Sequence, residues 1–171
     1  MLIFSTVDLL NATLSGSGPT SYRTKTSIGI HGRKTTSLTL INGTEQRIVG
    51  GIDWREKDFV IEGKTWELFE LKSRPAGPSN TLRVWHWAGD DYKVNLYGKQ
   101  WTAISARRLT PLATFNQSVQ RIFKASQSAK IEFHTELSET DTVFFLLVMI
   151  YSEVRWQDED VDGHLRGELS D

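Results

Sequence analysis

The stretch from Val143 to Tyr151, V-F-F-L-L-V-M-I-Y, is unbroken apolar sequence, and no other feature limits the possible folds as strongly. A helix without a polar face cannot lie on the surface of a globular domain and has to be surrounded by other chain. At a rise of about 1.5 Å per residue, Thr142 to Arg155 spans roughly 20 Å, against about 30 Å of bilayer hydrocarbon. A membrane span is therefore not expected. The start of the helix is legible as well. Ser138 can cap the amide of Asp141, Asp141 can reach back as in a capping box, and Glu139 and Asp141 place negative charge at the positive end of the helix dipole. The pattern predicts a central helix over about residues 138–156.

Upstream, to about residue 134, the signals are those of strands: short β-branched and aromatic runs divided by Gly, Asn and Pro. Leu2 to Ser5, Asn11 to Leu14 and the hydroxyl-rich Thr20 to Ser27 come first. Thr36 to Ile41 and Glu45 to Trp54 then flank Asn42-Gly43, a tight hairpin turn, and the pair Gly50-Gly51 predicts a bulge or bend within the second strand. Phe59 to Glu62 with Thr65 to Leu71, and Tyr92 to Tyr97 with Trp101 to Ser105, are hairpins whose turns at Gly63-Lys64 and Gly98-Lys99 suit type II′ geometry. Arg83 to Trp87, Leu112 to Phe115 and Lys130 to His134 complete the series, and Val119 to Lys124 is ambiguous. Asp158 to Asp171 is charged and aperiodic, which predicts a flexible acidic tail.

Many antiparallel hairpins followed by one all-apolar helix require a sheet that curls around the helix, and a closed barrel does this while removing exposed strand edges. Gly51-Ile52-Asp53-Trp54, the Gly63 hairpin, Trp85-His86-Trp87, the Trp101 strand, Pro111-Leu112-Ala113-Thr114-Phe115 and the final helix together resemble an uncharacterised fungal domain family. That family belongs to the tubby C-terminal-like superfamily, with the LURP-one-related proteins and the phospholipid scramblases. The resemblance covers most of residues 1–157. It implies a closed antiparallel barrel of about twelve strands around the helix, with residues 158–171 outside it. Tubby domains proper bind phosphoinositides through surface basic residues, although no such site aligns residue by residue here.

A chain of 171 residues with 39% hydrophobic content suits one domain. It has no cysteine, which excludes disulfides and thiolate metal sites and makes an intracellular setting the default expectation, and Met1-Leu2-Ile3-Phe4 lacks the basic leader of a signal peptide. The net charge of −1 hides an asymmetry: residues 157–171 hold six acids against Arg166, a net of −5 that leaves +4 for the rest. The body is too weakly basic for a nucleic-acid binder, but it can be drawn to an anionic surface.

Candidate sites are sparse. On strands, Trp54, Trp66, Trp85, Trp87 and Trp101 suit core packing, and Trp156 suits a plug at one end. Trp54, Leu146, Leu147 and Met149 are expected core residues. His31, His86, His134 and His164 lack metal-ligand spacing. Asp158 to Gly163 matches the first half of a calcium loop, but Leu169 stands where the bidentate acid belongs, so no metal or cofactor is expected. Arg107 and Arg108, with Arg121 and Lys124, are the candidate anion or lipid patch. The expected function is that of a non-enzymatic binding or adaptor module of a cytoplasmic protein, peripheral at anionic membranes or bound to a protein partner. A rival reading is an enzyme on the Trp85–Tyr92 hairpin, with His86 as base oriented by Asp90 or Asp91; it needs a concave pocket there. A small-ligand carrier is a third, and it needs an empty barrel.

Overall fold

The computed structural model describes residues 1–75, 81–118 and 127–167, with residues 160–167 described by backbone alone. Its strands are β1 Leu2–Phe4, β2 Thr13–Ser15, β3 Thr20–Gly29, β4 Gly32–Asn42, β5 Glu45–Asp53, β6 Asp58–Ile61, β7 Lys64–Glu67, β8 Lys72–Ser73, β9 Arg83–Trp87, β10 Asp90–Tyr97, β11 Gln100–Ser105, β12 Pro111–Asn116 and β13 Lys130–Phe133; its helices are α1 Leu68–Leu71 and α2 Glu139–Gly167. The strands form one 13-stranded sheet in the order β7-β6-β5-β4-β3-β2-β1-β13-β12-β11-β10-β9-β8, and every pairing is antiparallel. Strands adjacent in sequence are thus adjacent in the sheet, apart from the β7 and β8 edges, while β13 returns to lie beside β1.

The sheet is not closed by hydrogen bonds, because β7 and β8 share no ladder. It does curl until its ends meet. Phe59 of β6 stacks on Trp85 of β9 at 5.5 Å, and Trp66 of β7 meets Trp87 of β9 edge-on at 5.2 Å. The single turn α1 spans the two edges and buries Leu68 and Leu71. The sequence pattern predicts strand through to Leu71, but the strand stops at Glu67. There the Leu68 N–H bonds the Lys57 carbonyl at 2.9 Å, and the chain turns inward to place two leucines in the core.

The apolar run of helix α2 is dry on every side, as its sequence requires. From Val143 to Ile150 no residue is more than 1% exposed. Phe144 stacks on Trp87 at 4.5 Å and Phe145 meets Tyr92 edge-on at 5.0 Å, so β9 and β10 cover one flank. On another flank a Cβ on Gly50 of β5 would sit 2.7 Å from Val143 Cγ1. Leu146, Leu147 and Met149 are buried as expected, and each such side chain contributes roughly 1.5–3 kcal/mol by leaving water. The bulge expected near Gly50-Gly51 is present: Leu38 pairs with Gly50 and Thr39 with Ile48, which leaves Val49 as the extra residue.

At the helix start, the Asp141 N–H donates to Ser138 Oγ at 3.1 Å, the cap expected. The Asp141 carboxylate accepts from Ser138 Oγ at 2.7 Å and from Trp87 Nε1 at 2.9 Å, tying the cap to β9. The helix continues past Trp156 to Gly167, where a flexible tail was expected. Two ties favour this: Gln157 Nε2 donates to Glu153 Oε1 at 2.7 Å, one turn back, and Arg33 clamps Asp158 through two bonds of 2.8 and 2.9 Å. Two turns also differ from expectation by one residue. Ile61 pairs with Lys64, so the central residues are Glu62 and Gly63, at φ 49° and 76°; two positive values belong to type I′. Asn42 pairs with Glu45, which puts Gly43-Thr44 in the turn. Gly98-Lys99 turns as expected, between the paired Tyr97 and Gln100. Val119 to Lys124 and residues 168–171 lie outside the described residues.

Candidate functional site

The end of the fold around the carboxyl half of α2 gathers the unusual features. The longest hairpin, β3–β4, reaches this end. Along β3, Tyr22 and Thr24 point into the core while Arg23 and Lys25 point out, but from Ser27 onward both faces stand in solvent. At its tip Ile30 is 99% exposed and Ile28 72%. No acidic residue occurs between Asp8 and Glu45, whereas Arg23, Lys25, Arg33 and Lys34 all lie on this hairpin and are exposed. Arg33 is held by Asp158; Arg23, Lys25 and Lys34 have no ion pair among the described residues. At the base of the hairpin, the Trp54 N–H donates to the Lys34 carbonyl at 3.0 Å, the Trp54 indole donates to Thr36 Oγ1 at 2.8 Å, and its ring stacks on Tyr151 of α2 at 5.7 Å.

Next to this contact lies a cavity of about 110 Å³ lined by Lys72, Arg83, Trp85, Tyr151, Arg155 and Trp156 among others. It adjoins a wider recess of about 570 Å³ through the shared Lys72, Tyr151 and Arg155. Lys72 Nζ donates to Tyr151 Oη at 2.7 Å and lies 4.3 Å from the centre of that ring. No carboxylate pairs with Lys72 among the described residues. Burial, with Arg83 and Arg155 nearby, brings its ammonium down to about 8, and burial raises the Tyr151 phenol. Arg155 pairs with Glu159 at 3.8 Å, one turn on. Trp85 is fully buried, and its indole N–H has no acceptor among the described residues. An orphaned buried donor costs about 1–3 kcal/mol. Trp156, expected as a plug, is half-buried against this wall.

The Trp85–Tyr92 hairpin carries a row of hydrogen bonds across β8, β9 and β10. Ser73 Oγ lies 3.1 Å from His86 Nε2, and His86 Nδ1 lies 2.8 Å from Asp91 Oδ1. Serine, histidine and aspartate thus stand in the order of a hydrolytic triad. Hydrolysis also needs a desolvated, concave setting and donors for an oxyanion, yet the His86 and Asp91 side chains are 41% and 57% exposed and neither lines the cavity or the recess. The row ties an edge strand to its neighbours.

The expected anion patch is not gathered at this end. Arg107 reaches back to its own hairpin, with Nη1 at 2.9 Å from Asp90 Oδ1 and Nη2 donating to the Gly89 carbonyl at 3.0 Å. Arg108 is exposed beside it, and Arg121 and Lys124 lie outside the described residues. Among the described residues no group of three acids or histidines could hold a metal, and no helix is long and apolar enough to cross a membrane. The segment with calcium-loop spacing continues α2 as helix to Gly167.

Sequence reasoning missed the site that the fold assembles. Lys72, Arg83 and Arg155 come from three distant segments and carry no local signal. The hairpin did leave a trace, in the acid-free run from Leu9 to Thr44 and in Ile28-Gly29-Ile30 at its turn. No family model, no curated protein and no solved structure matches this chain.

Proposed function

We propose that the chain is a non-enzymatic binding module that docks reversibly on anionic membrane surfaces, with the tip of β3–β4 as its anchor. The observation that carries this reading is the pair Ile28 and Ile30, exposed at the end of a hairpin with four cations and no acid. An exposed β-branched tip has no stabilising role in the folded chain, and apolar residues ringed by cations are what the boundary between headgroups and acyl chains accepts. Each basic residue near an anionic leaflet contributes about 1 kcal/mol, and each isoleucine leaving water roughly 1.5–3 kcal/mol. Arg23, Lys25 and Lys34 with the two isoleucines thus supply roughly 6–9 kcal/mol before the cost of ordering the hairpin, enough for weak, reversible docking. The scaffold of this reading is a tubby-like barrel, in which α1 bridges the one gap left in an otherwise continuous ring of strands. The order of the sheet and the enclosed helix support it.

Co-sedimentation with phosphatidylserine-containing and with neutral vesicles tests the reading. The protein should pellet with the anionic vesicles at about 0.1 M salt and be released as salt rises. Ile28→Ser with Ile30→Ser should abolish pelleting without changing the melting temperature, and Lys25→Glu with Lys34→Glu should do the same. Equal partition to both vesicle types, or binding that survives loss of both isoleucines, would overturn it.

A further inference from the structure

We infer that Arg33 is a headgroup-binding residue of the β3–β4 hairpin that the chain's own Asp158 occupies in the free protein, so that the end of α2 restrains docking until an anionic lipid headgroup takes the place of that carboxylate. The inference rests on the membrane-docking reading and adds to it a residue and a means of control.

Three observations converge. The first is placement. Arg33 is the cross-strand partner of Ile28, and residues directly opposite in an antiparallel pair share a face. With Ile28 at the boundary of the acyl chains, the Arg33 guanidinium stands at the level of the headgroups, where its planar fork suits phosphate or carboxylate. The second is that this fork is already filled. Asp158 accepts from Arg33 Nη1 at 2.8 Å and from Nη2 at 2.9 Å, across 125 positions of sequence. A headgroup oxyanion would use the same two-bond geometry. Among the described residues, Arg33 is the one cation of the hairpin held by an ion pair. A carboxylate fixed there opposes docking twice over: it neutralises a cation next to the anchor, and it carries a negative charge to a negative surface. The third is the character of the contact. The Arg33 and Asp158 side chains are 36% and 34% exposed, so the pair is screened by salt and weak enough to exchange. Asp8, the other acid near Arg33, is already committed to the Leu10 N–H and the Asn11 amide. From Ser27 to Lys34 the hairpin stands in solvent on both faces, and Arg33, 5.6 Å from the centre of the Trp54 ring, joins its end to the body. Exchange of Asp158 for a headgroup therefore frees the tip from α2 at the moment it meets the membrane.

Co-sedimentation of the full chain, titrated with vesicles of phosphatidylserine and phosphatidylcholine at about 0.1 M salt, tests this. Asp158→Asn keeps the shape of the side chain and removes its charge. It should bind about fivefold more tightly than wild type, the factor that one basic residue contributes near an anionic leaflet, and gain nothing on pure phosphatidylcholine. Glu159→Gln removes the same charge one position along the helix, where the partner is Arg155, and should stay within about twofold of wild type. In an Arg33→Gln background, Asp158→Asn should change binding by less than about twofold, because no fork is left to release. Thermal melts that match wild type show that the fold persists in each variant. The inference fails if Asp158→Asn binds no more tightly than wild type, if Glu159→Gln tightens binding as much, or if Asp158→Asn has the same effect without Arg33. Failure of wild type and Asp158→Asn alike to bind would remove the docking reading and the inference with it, whereas a wild type that binds and an indifferent Asp158→Asn remove the inference alone.

Discussion

Replacing Gly50 with alanine tests the contact between α2 and the sheet, because the added methyl has a known collision. It would lie 2.7 Å from Val143 Cγ1, 3.1 Å from the Val60 carbonyl oxygen and 3.3 Å from Leu147 Cδ1. Carbon atoms in good contact sit about 3.5–4.0 Å apart, so the first overlap approaches 1 Å. Overpacking of this kind costs roughly 1–3 kcal/mol, and the restriction of the unfolded chain returns only about 0.4–1 kcal/mol. Gly50→Ala should therefore destabilise by about 1–2 kcal/mol in a urea melt. Val143→Ala alone also destabilises, since it empties a fully packed position. In the double variant the new methyl enters the vacated space, and the two effects should fall short of their sum by about 1 kcal/mol. Gly18→Ala is the control: nothing lies within 4 Å of its added carbon, and its effect should stay within about 0.5 kcal/mol. A neutral Gly50→Ala, or additivity within about 0.3–0.5 kcal/mol, would refute the close approach of α2 to β5.

Two further outcomes follow from the core and the cavity. Alanine at Leu146, Leu147 or Met149 should cost about 2–5 kcal/mol each, out of the 5–15 kcal/mol typical of a whole domain, and every position from Val143 to Ile150 should be sensitive; a tolerant stripe at helical spacing in the melts would contradict the enclosed helix. The Lys72 ammonium is depressed from 10.5 to about 8. The unfolded chain therefore holds the extra proton between these values, and stability should rise with pH across that window. Among the described residues, the other charged groups facing Lys72 are Arg83, Arg155, Lys57 and Glu159, with Asp53, Glu56, Asp58 and Glu67 across the recess. Stability–pH profiles of wild type and Lys72→Met check the sign: profiles that coincide from pH 8 upward would contradict the burial of this amine.

The helix was legible in the sequence because its constraint is one-dimensional. Nine apolar residues in a row have no wet face, whatever surrounds them, and the Ser138 cap depends only on neighbours. The strand series was legible from alternation, as in Tyr92 to Tyr97, and the bulge from the pair Gly50-Gly51. Elsewhere tertiary contact decided. Thr65 to Leu71 has the residues of a strand, but the burial of Leu68 and Leu71 between the sheet edges is worth more than two further ladder bonds. Residues 158–167 have no apolar periodicity and depend on Arg33, more than a hundred positions away, to extend the helix. The same limit hid the cavity, whose lysine and arginines converge only after the sheet has curled. Arg107, Arg108, Arg121 and Lys124 can be grouped from sequence only by their adjacency; the Asp90 partner of Arg107 depends on the pairing of β10 with β11, and Arg121 and Lys124 lie outside the described residues.

The anchoring role of the β3–β4 tip can be measured by the depth of a nitroxide. The chain has no cysteine, so Ile30→Cys accepts a single spin label, and Leu109→Cys, at a site 71% exposed, gives a control on another loop. With the protein bound to phosphatidylserine-containing vesicles, the label at residue 30 should become accessible to oxygen dissolved in the bilayer and shielded from an aqueous nickel complex. The label at residue 109 should remain in water. If the protein binds and the label at residue 30 stays as open to nickel as the one at residue 109, the hairpin is not the anchor and the proposed mode of docking is wrong.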